Sequence, residues 1–131
     1  MSDEELRIAF EACTLPKADW THEAHVRMAW IYLSTRSYEE ALESIRAGIQ
    51  KYNLSLGNTS GYHDTITVAF ARLIKSSILQ SPGDNFPGFH ARCPGLFRKS
   101  PSPLAPYYSK ERLASADAVS SFVEPDLSPL P

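Results

Sequence analysis

SYEEALESIRAGIQKYNLSLGN, residues 37–58, is the stretch whose reading decides the fold class. Ser37 followed three residues later by Glu40 is a capping box. Behind it Tyr38, Ala41, Leu42, Ile45, Ile49 and Tyr52 recur at three-four spacing, which lays them on one face of an α-helix. Gly57-Asn58 then supplies a helix stop, because these residues reach the left-handed conformation at little cost.

Working upstream, Asp19 or Thr21 is positioned to cap a helix beginning near Thr21, with Val26, Ala29, Trp30 and Leu33 as its apolar stripe. Before it, Ser2-x-x-Glu5 is a second capping box. It opens a short helix that buries Leu6, Ala9 and Phe10, and Pro16 closes the linker that follows. Downstream, Thr59 or Ser60 is expected to cap a fourth helix carrying Ile66, Ala69, Phe70, Leu73 and Ile74. Nine of the ten prolines fall at or after Pro82, so helices are expected to give way there to irregular structure. Residues 81–108 show no period and read as a long loop or lid. Their aromatics (Phe86, Phe89, Phe97, Tyr107, Tyr108) argue against simple disorder. Ser109 can cap a short helix through Leu113, Ser115 another from about Asp117 to Phe122, and residues 124–131 read as an extended surface tail. No strand pattern and no internal repeat is present. The expected fold is all-α: a bundle of about four principal helices with an irregular Pro-rich C-terminal third, in a single helical domain spanning 1–131.

A chain of 131 residues buries roughly two-thirds of its unfolded surface, enough for a core without staples. Net charge is −2 with a pI near 6.1 and no basic run, so nucleic acid and anionic membranes have no electrostatic attraction to it. The apolar stretches are far shorter than a membrane span. The acidic opening Met1-Ser2-Asp3-Glu4-Glu5 lacks the apolar run of a signal peptide. Cys13 and Cys93, the only cysteines, suit a reduced, intracellular protein, and a cytoplasmic location is expected.

Histidines carry the chemistry. His22 and His25 stand three apart at the start of the second helix, a spacing that turns both imidazoles to one face. His63 is expected at the equivalent place in the fourth helix, on the stripe of Ile66, Phe70 and Leu73. All three then lie in a first turn on an inward face, where the positive helix end disfavours imidazolium. Three neutral imidazoles with an open fourth position form the ligand set of many catalytic zinc sites, and they also suit copper, iron or nickel. The expectation is one divalent transition metal held by His22, His25 and His63, acting on a small organic substrate. The same histidines allow a non-catalytic module for a small anion, or an interaction protein in which they are core residues.

Glu23, between the first two histidines, is a candidate catalytic residue that points sideways and suits a supporting role. Tyr62 is a candidate proton donor at the pocket mouth. Asp64 complements the helix dipole, and Tyr32 reads as core packing. His90-x-x-Cys93 has metal-ligand spacing but sits in the Pro-rich segment, and Cys13 reads as a small buried hydrophobe. Trp20 is placed to staple onto the first turn or to stack on a ligand, and Trp30 reads as core. A tail folding back would present Glu124 to the metal.

Taken together, Trp20-Thr21-His22-Glu23-Ala24-His25, Ser60-Gly61-Tyr62-His63-Asp64-Thr65, Tyr107-Tyr108-Ser109-Lys110-Glu111-Arg112-Leu113 and Val123-Glu124-Pro125-Asp126-Leu127 form a set. The chain resembles, from about Leu15 onward, an uncharacterised, mostly bacterial family of small proteins with W-T-H-x-A-H and Y-H-[DE]-T motifs. The resemblance implies that the histidine segments and the tail belong to one design, and it implies no substrate.

Overall fold

The computed structural model describes residues 1–131 and is all-α, with seven α-helices, two short 3-10 turns and no strand. The chain divides into two compact units, Met1–Tyr62 and His63–Pro131. No helix is long and apolar enough to cross a membrane.

The first unit contains α1 (Asp3–Glu11), a 3-10 turn (Lys17–Asp19), α2 (His22–Thr35) and α3 (Tyr38–Ser55), and its three helices pack pairwise. Side-chain caps start each of them. Ser2 and Glu5 form a reciprocal box, Thr21 accepts the Ala24 N–H at 3.2 Å, and Ser37 accepts the Glu40 N–H at 3.2 Å. The stop at residues 57–58 is realised by Gly57 at φ 76°. Leu6, Phe10, Leu15, Val26, Leu33, Ala41, Ile45 and Tyr52 are buried. Burial on α2 extends beyond the expected stripe, because Met28 and Ile31 are also enclosed. Tyr32 is core, as its place on the stripe implies. Its hydroxyl donates to Glu11 Oε2 at 2.6 Å and the Arg36 guanidinium lies 4.7 Å from its ring. Burial pushes the Tyr32 phenol far above its ordinary pKa. Cys13 is half-buried, more open than expected, and adopts φ 59°.

The second unit contains α4 (Asp64–Gln80), α5 (Phe86–Arg92), a 3-10 turn (Pro94–Phe97), α6 (Lys110–Ala114) and α7 (Ala116–Ser120). The expectation of an irregular 81–108 segment is corrected by α5 and the turn after it. Asn85 accepts the Gly88 N–H at 2.9 Å, and Pro87 sits in the first turn, where its missing N–H costs no hydrogen bond. Proline here starts a helix instead of breaking one. Phe89 is fully buried, with the rings of Phe86 and Phe97 within 6.3 Å and 6.1 Å of it, so the aromatics of this segment form a small core. Ser109 and Ser115 cap α6 and α7 as the sequence implies.

The segment after α7 is tied to the rest of the second unit by hydrogen bonds. Thr65, fully buried on α4, donates to the Ser121 carbonyl at 3.1 Å and accepts the Val123 N–H at 3.1 Å. Tyr108 donates to the Val123 carbonyl at 2.7 Å, and the Leu127 N–H reaches the Tyr107 carbonyl at 2.9 Å. Asp126 takes both the Ser109 hydroxyl, at 2.6 Å, and the Ser109 N–H, at 2.9 Å, and these bonds hold its carboxyl below the ordinary range. Glu124 contributes its backbone carbonyl, which Arg112 grips with two nitrogens at 3.0 and 2.9 Å.

Candidate functional site

The start of α2 is built around one imidazole. Thr21 is the cap, so His22 is the first helical residue and His25 the fourth. The Thr21 carbonyl accepts the His25 backbone N–H at 3.0 Å and lies 2.7 Å from His25 Nδ1. A carbonyl only accepts, so Nδ1 must carry the proton. The Nε2 lone pair is left without a protein partner. Burial disfavours imidazolium and lowers the His25 pKa; the Thr21 carbonyl opposes this, and neighbouring His22 adds to it. Neutrality, expected from the helix dipole, thus comes mainly from burial.

Trp20, the residue before the cap, stacks on His25 with ring centroids 3.8 Å apart and planes 29° apart. This pairs the residue preceding the cap with the fourth residue of the helix, the staple arrangement that fixes how a chain enters a helix. Phe10 stacks on the other side of Trp20 at 4.9 Å, and Tyr52 meets Trp20 edge-on at 5.2 Å. The Tyr52 hydroxyl donates to the Leu15 carbonyl at 2.6 Å. The column Phe10–Trp20–His25 therefore orients the imidazole from beneath. Trp20 Nε1–H is buried without an acceptor, the one side-chain polar atom so placed. His22 is half-buried, and Glu23 is exposed as its sideways position implies.

His63 departs from expectation. It is the cap of α4, not a residue within its first turn, and Thr59 and Ser60 do not cap the helix. Asn58 instead bends the chain there, its side chain accepting the Ser60 and Gly61 N–H groups at 3.2 and 2.9 Å. His63 Nδ1 accepts the Ile66 N–H at 3.2 Å, so the ring proton is on Nε2, which donates to the Leu113 carbonyl at 2.7 Å. Both ring nitrogens are thereby committed to backbone groups. The ring has no lone pair to offer a metal while those bonds stand. Asp64, the first residue of α4, is buried, and Tyr62 is half-buried at the end of the first unit. Within either unit, no three His, Cys, Asp or Glu side chains gather as a group that could hold a metal ion. His90 packs on Phe97, ring centroids 4.1 Å apart, and serves the aromatic core of α5.

Replacing His63 by Ala is expected to cost about 1–2 kcal/mol, the usual loss on deleting a helix cap. His63→Asn should recover part of this, since an amide oxygen can cap but cannot reach Leu113. Urea denaturation followed by circular dichroism checks both; equal stability of His63→Ala and wild type would show that the two bonds contribute nothing.

A feature that residue types alone do not announce is a cleft of about 690 Å³ in the second unit, beside the C-terminal half of α4. Its signal in the sequence is the clustering of prolines with Tyr107 and arginines. No family model matches the chain, and no curated protein or solved structure is significantly similar to it.

Proposed function

We propose that the first turn of α2 binds one divalent transition metal through His22 and His25, and that the protein is a small metalloenzyme acting on a small organic substrate. The observation that carries this reading is the state of His25: Nδ1–H anchored on a backbone carbonyl, the ring neutral, and Nε2 left open. A ligating histidine is characteristically held this way, its second nitrogen tied so that tautomer and ring plane are set before the metal arrives. His22, three residues earlier in the same turn, is within reach as a second ligand. His63 is left out of the ligand set because its nitrogens are spent. Bound there, the metal would supply Lewis-acid or redox chemistry, with the positions not taken by imidazole open to substrate.

The rival reading, a small-anion module on the same turn, is weaker. An anion pairs best with imidazolium, which burial of His25 disfavours.

The test is a titration of tag-free protein with Zn²⁺, Cu²⁺, Fe²⁺ and Ni²⁺. About one equivalent of at least one metal should bind. His25→Ala should weaken binding by roughly 100-fold or more, since losing a ligand exceeds the effect of losing its supporting partner. His22→Ala should weaken it similarly, and His63→Ala should leave affinity unchanged. Failure of all four metals to bind, or binding indifferent to His25→Ala, would refute the proposal.

A further inference from the structure

We propose that the cleft of the second unit binds a small organic carboxylate, its anionic head taken by Arg98 and Tyr107 and its body lying on Leu73 and Leu96. The cleft's volume of about 690 Å³ lies in the range of small-molecule sites. Leu73 and Leu96 are buried side chains on its surface, and Pro94, Pro101, Pro103 and Pro106 also line it. Such rings have a fixed φ and no N–H, so this wall is stiff and offers an anion no backbone donor of its own. The charged lining side chains are Arg92 and Arg98, no Asp or Glu side chain is among them, and Pro131, whose main-chain oxygen accepts from Arg72 at 3.5 Å, also borders the cleft.

The two arginines are not equivalent. Arg92 is already used, its Nε donating to Asp84 Oδ2 at 2.9 Å and its Nη2 to the Ser77 carbonyl at 2.8 Å. It ties the end of α5 to the C-terminal part of α4 and to the turn between the two helices. The Arg98 guanidinium makes no hydrogen bond or ion pair with the protein, and neither does the Tyr107 hydroxyl, although both residues line the cleft. A cation and a neutral donor, both unspent, thus border one concave surface in which Leu73, Leu96 and the prolines stand beside the polar Ser76, Ser77, Gln80 and Ser102. A guanidinium presents two parallel N–H groups to a carboxylate, and a phenol adds one further donor to the same oxygens. One unspent guanidinium matches the single charge of a carboxylate and leaves the second charge of a phosphate dianion without a cation of its own. The chemistry selects a monocarboxylate with an apolar body.

Cys93 provides the readout, since it lines the cleft and is half-buried. In a Cys13→Ser background it is the only thiol, and its alkylation by neutral iodoacetamide reports occupancy. The probe is 3-phenylpropionate, with 3-phenylpropanamide as its uncharged counterpart and phenyl phosphate as the competing anion class. At about ten times its Kd, 3-phenylpropionate should slow alkylation roughly tenfold, by simple occupancy. The amide should give little protection. Arg98→Gln should weaken protection by about 10–100-fold, each variant being compared with its own alkylation rate without probe, and Tyr107→Phe should weaken it several-fold. The proposal is overturned if 3-phenylpropionate gives no protection at millimolar concentration. It is equally overturned if the amide protects as well, if Arg98→Gln binds as wild type does, or if phenyl phosphate binds more tightly.

Discussion

Phe10→Ala is expected to destabilise the first unit by about 3–5 kcal/mol, the cost of emptying a packed aromatic site. Phe10 is 2% exposed and touches the rings of Trp20 and Tyr52, so its removal leaves a void walled by large, rigid side chains that cannot close inward. One wall is the backbone of α3. A Cβ added at Gly48 would stand 2.7 Å from Phe10 Cε2, so the ring lies almost on the helix and a glycine is required beneath it. The loss reaches the candidate metal turn as well, because Trp20 rests on Phe10 and His25 rests on Trp20. Urea denaturation read by tryptophan fluorescence suits this variant, since Trp20 and Trp30 both belong to the first unit. A shift worth less than about 1 kcal/mol would mean that the site collapses freely and the column is not a rigid support.

Thr65→Val should cost about 2–3 kcal/mol even though the two side chains have the same shape. The hydroxyl of Thr65 is buried and both gives and receives a hydrogen bond, to the Ser121 carbonyl and from the Val123 N–H. Valine fills the space and leaves both backbone groups unmatched. Thr65→Ser keeps the hydroxyl and loses a methyl, at about 1 kcal/mol. The ordering is the decisive result, with Val worse than Ser by circular dichroism in urea. The reverse order would mean that packing, and not the paired bonds, holds the chain after α7 to α4.

Much of the helical plan was legible because capping chemistry is local. Ser2, Thr21, Ser37, Ser109 and Ser115 all cap helices where their spacing to the next residues implies. The start of α4 was not legible, because an imidazole nitrogen there does the work of the usual hydroxyl or carboxylate. Nor was α5, whose Pro87 reads as a breaker unless the cap at Asn85 is placed first. The bonds that hold the segment after α7 were not legible, because most of them use main-chain groups, and residue types say nothing about where a carbonyl goes. The candidate site divides in the same way. The pairing of His22 with His25 follows from helical periodicity alone. The commitment of His63 does not, because its partner is a backbone oxygen 50 residues away.

The two bonds of Thr65 also bear on the order in which the second unit assembles. They join positions 56 and 58 residues apart in the chain. Closing so long a loop spends chain entropy before any contact repays it, whereas the helices on either side form from neighbours a few residues apart. On loop-closure entropy alone, the seam between α4 and the segment after α7 is expected to close after the helices that flank it. A single buried threonine hydroxyl thus ties together the two ends of a loop of more than 50 residues.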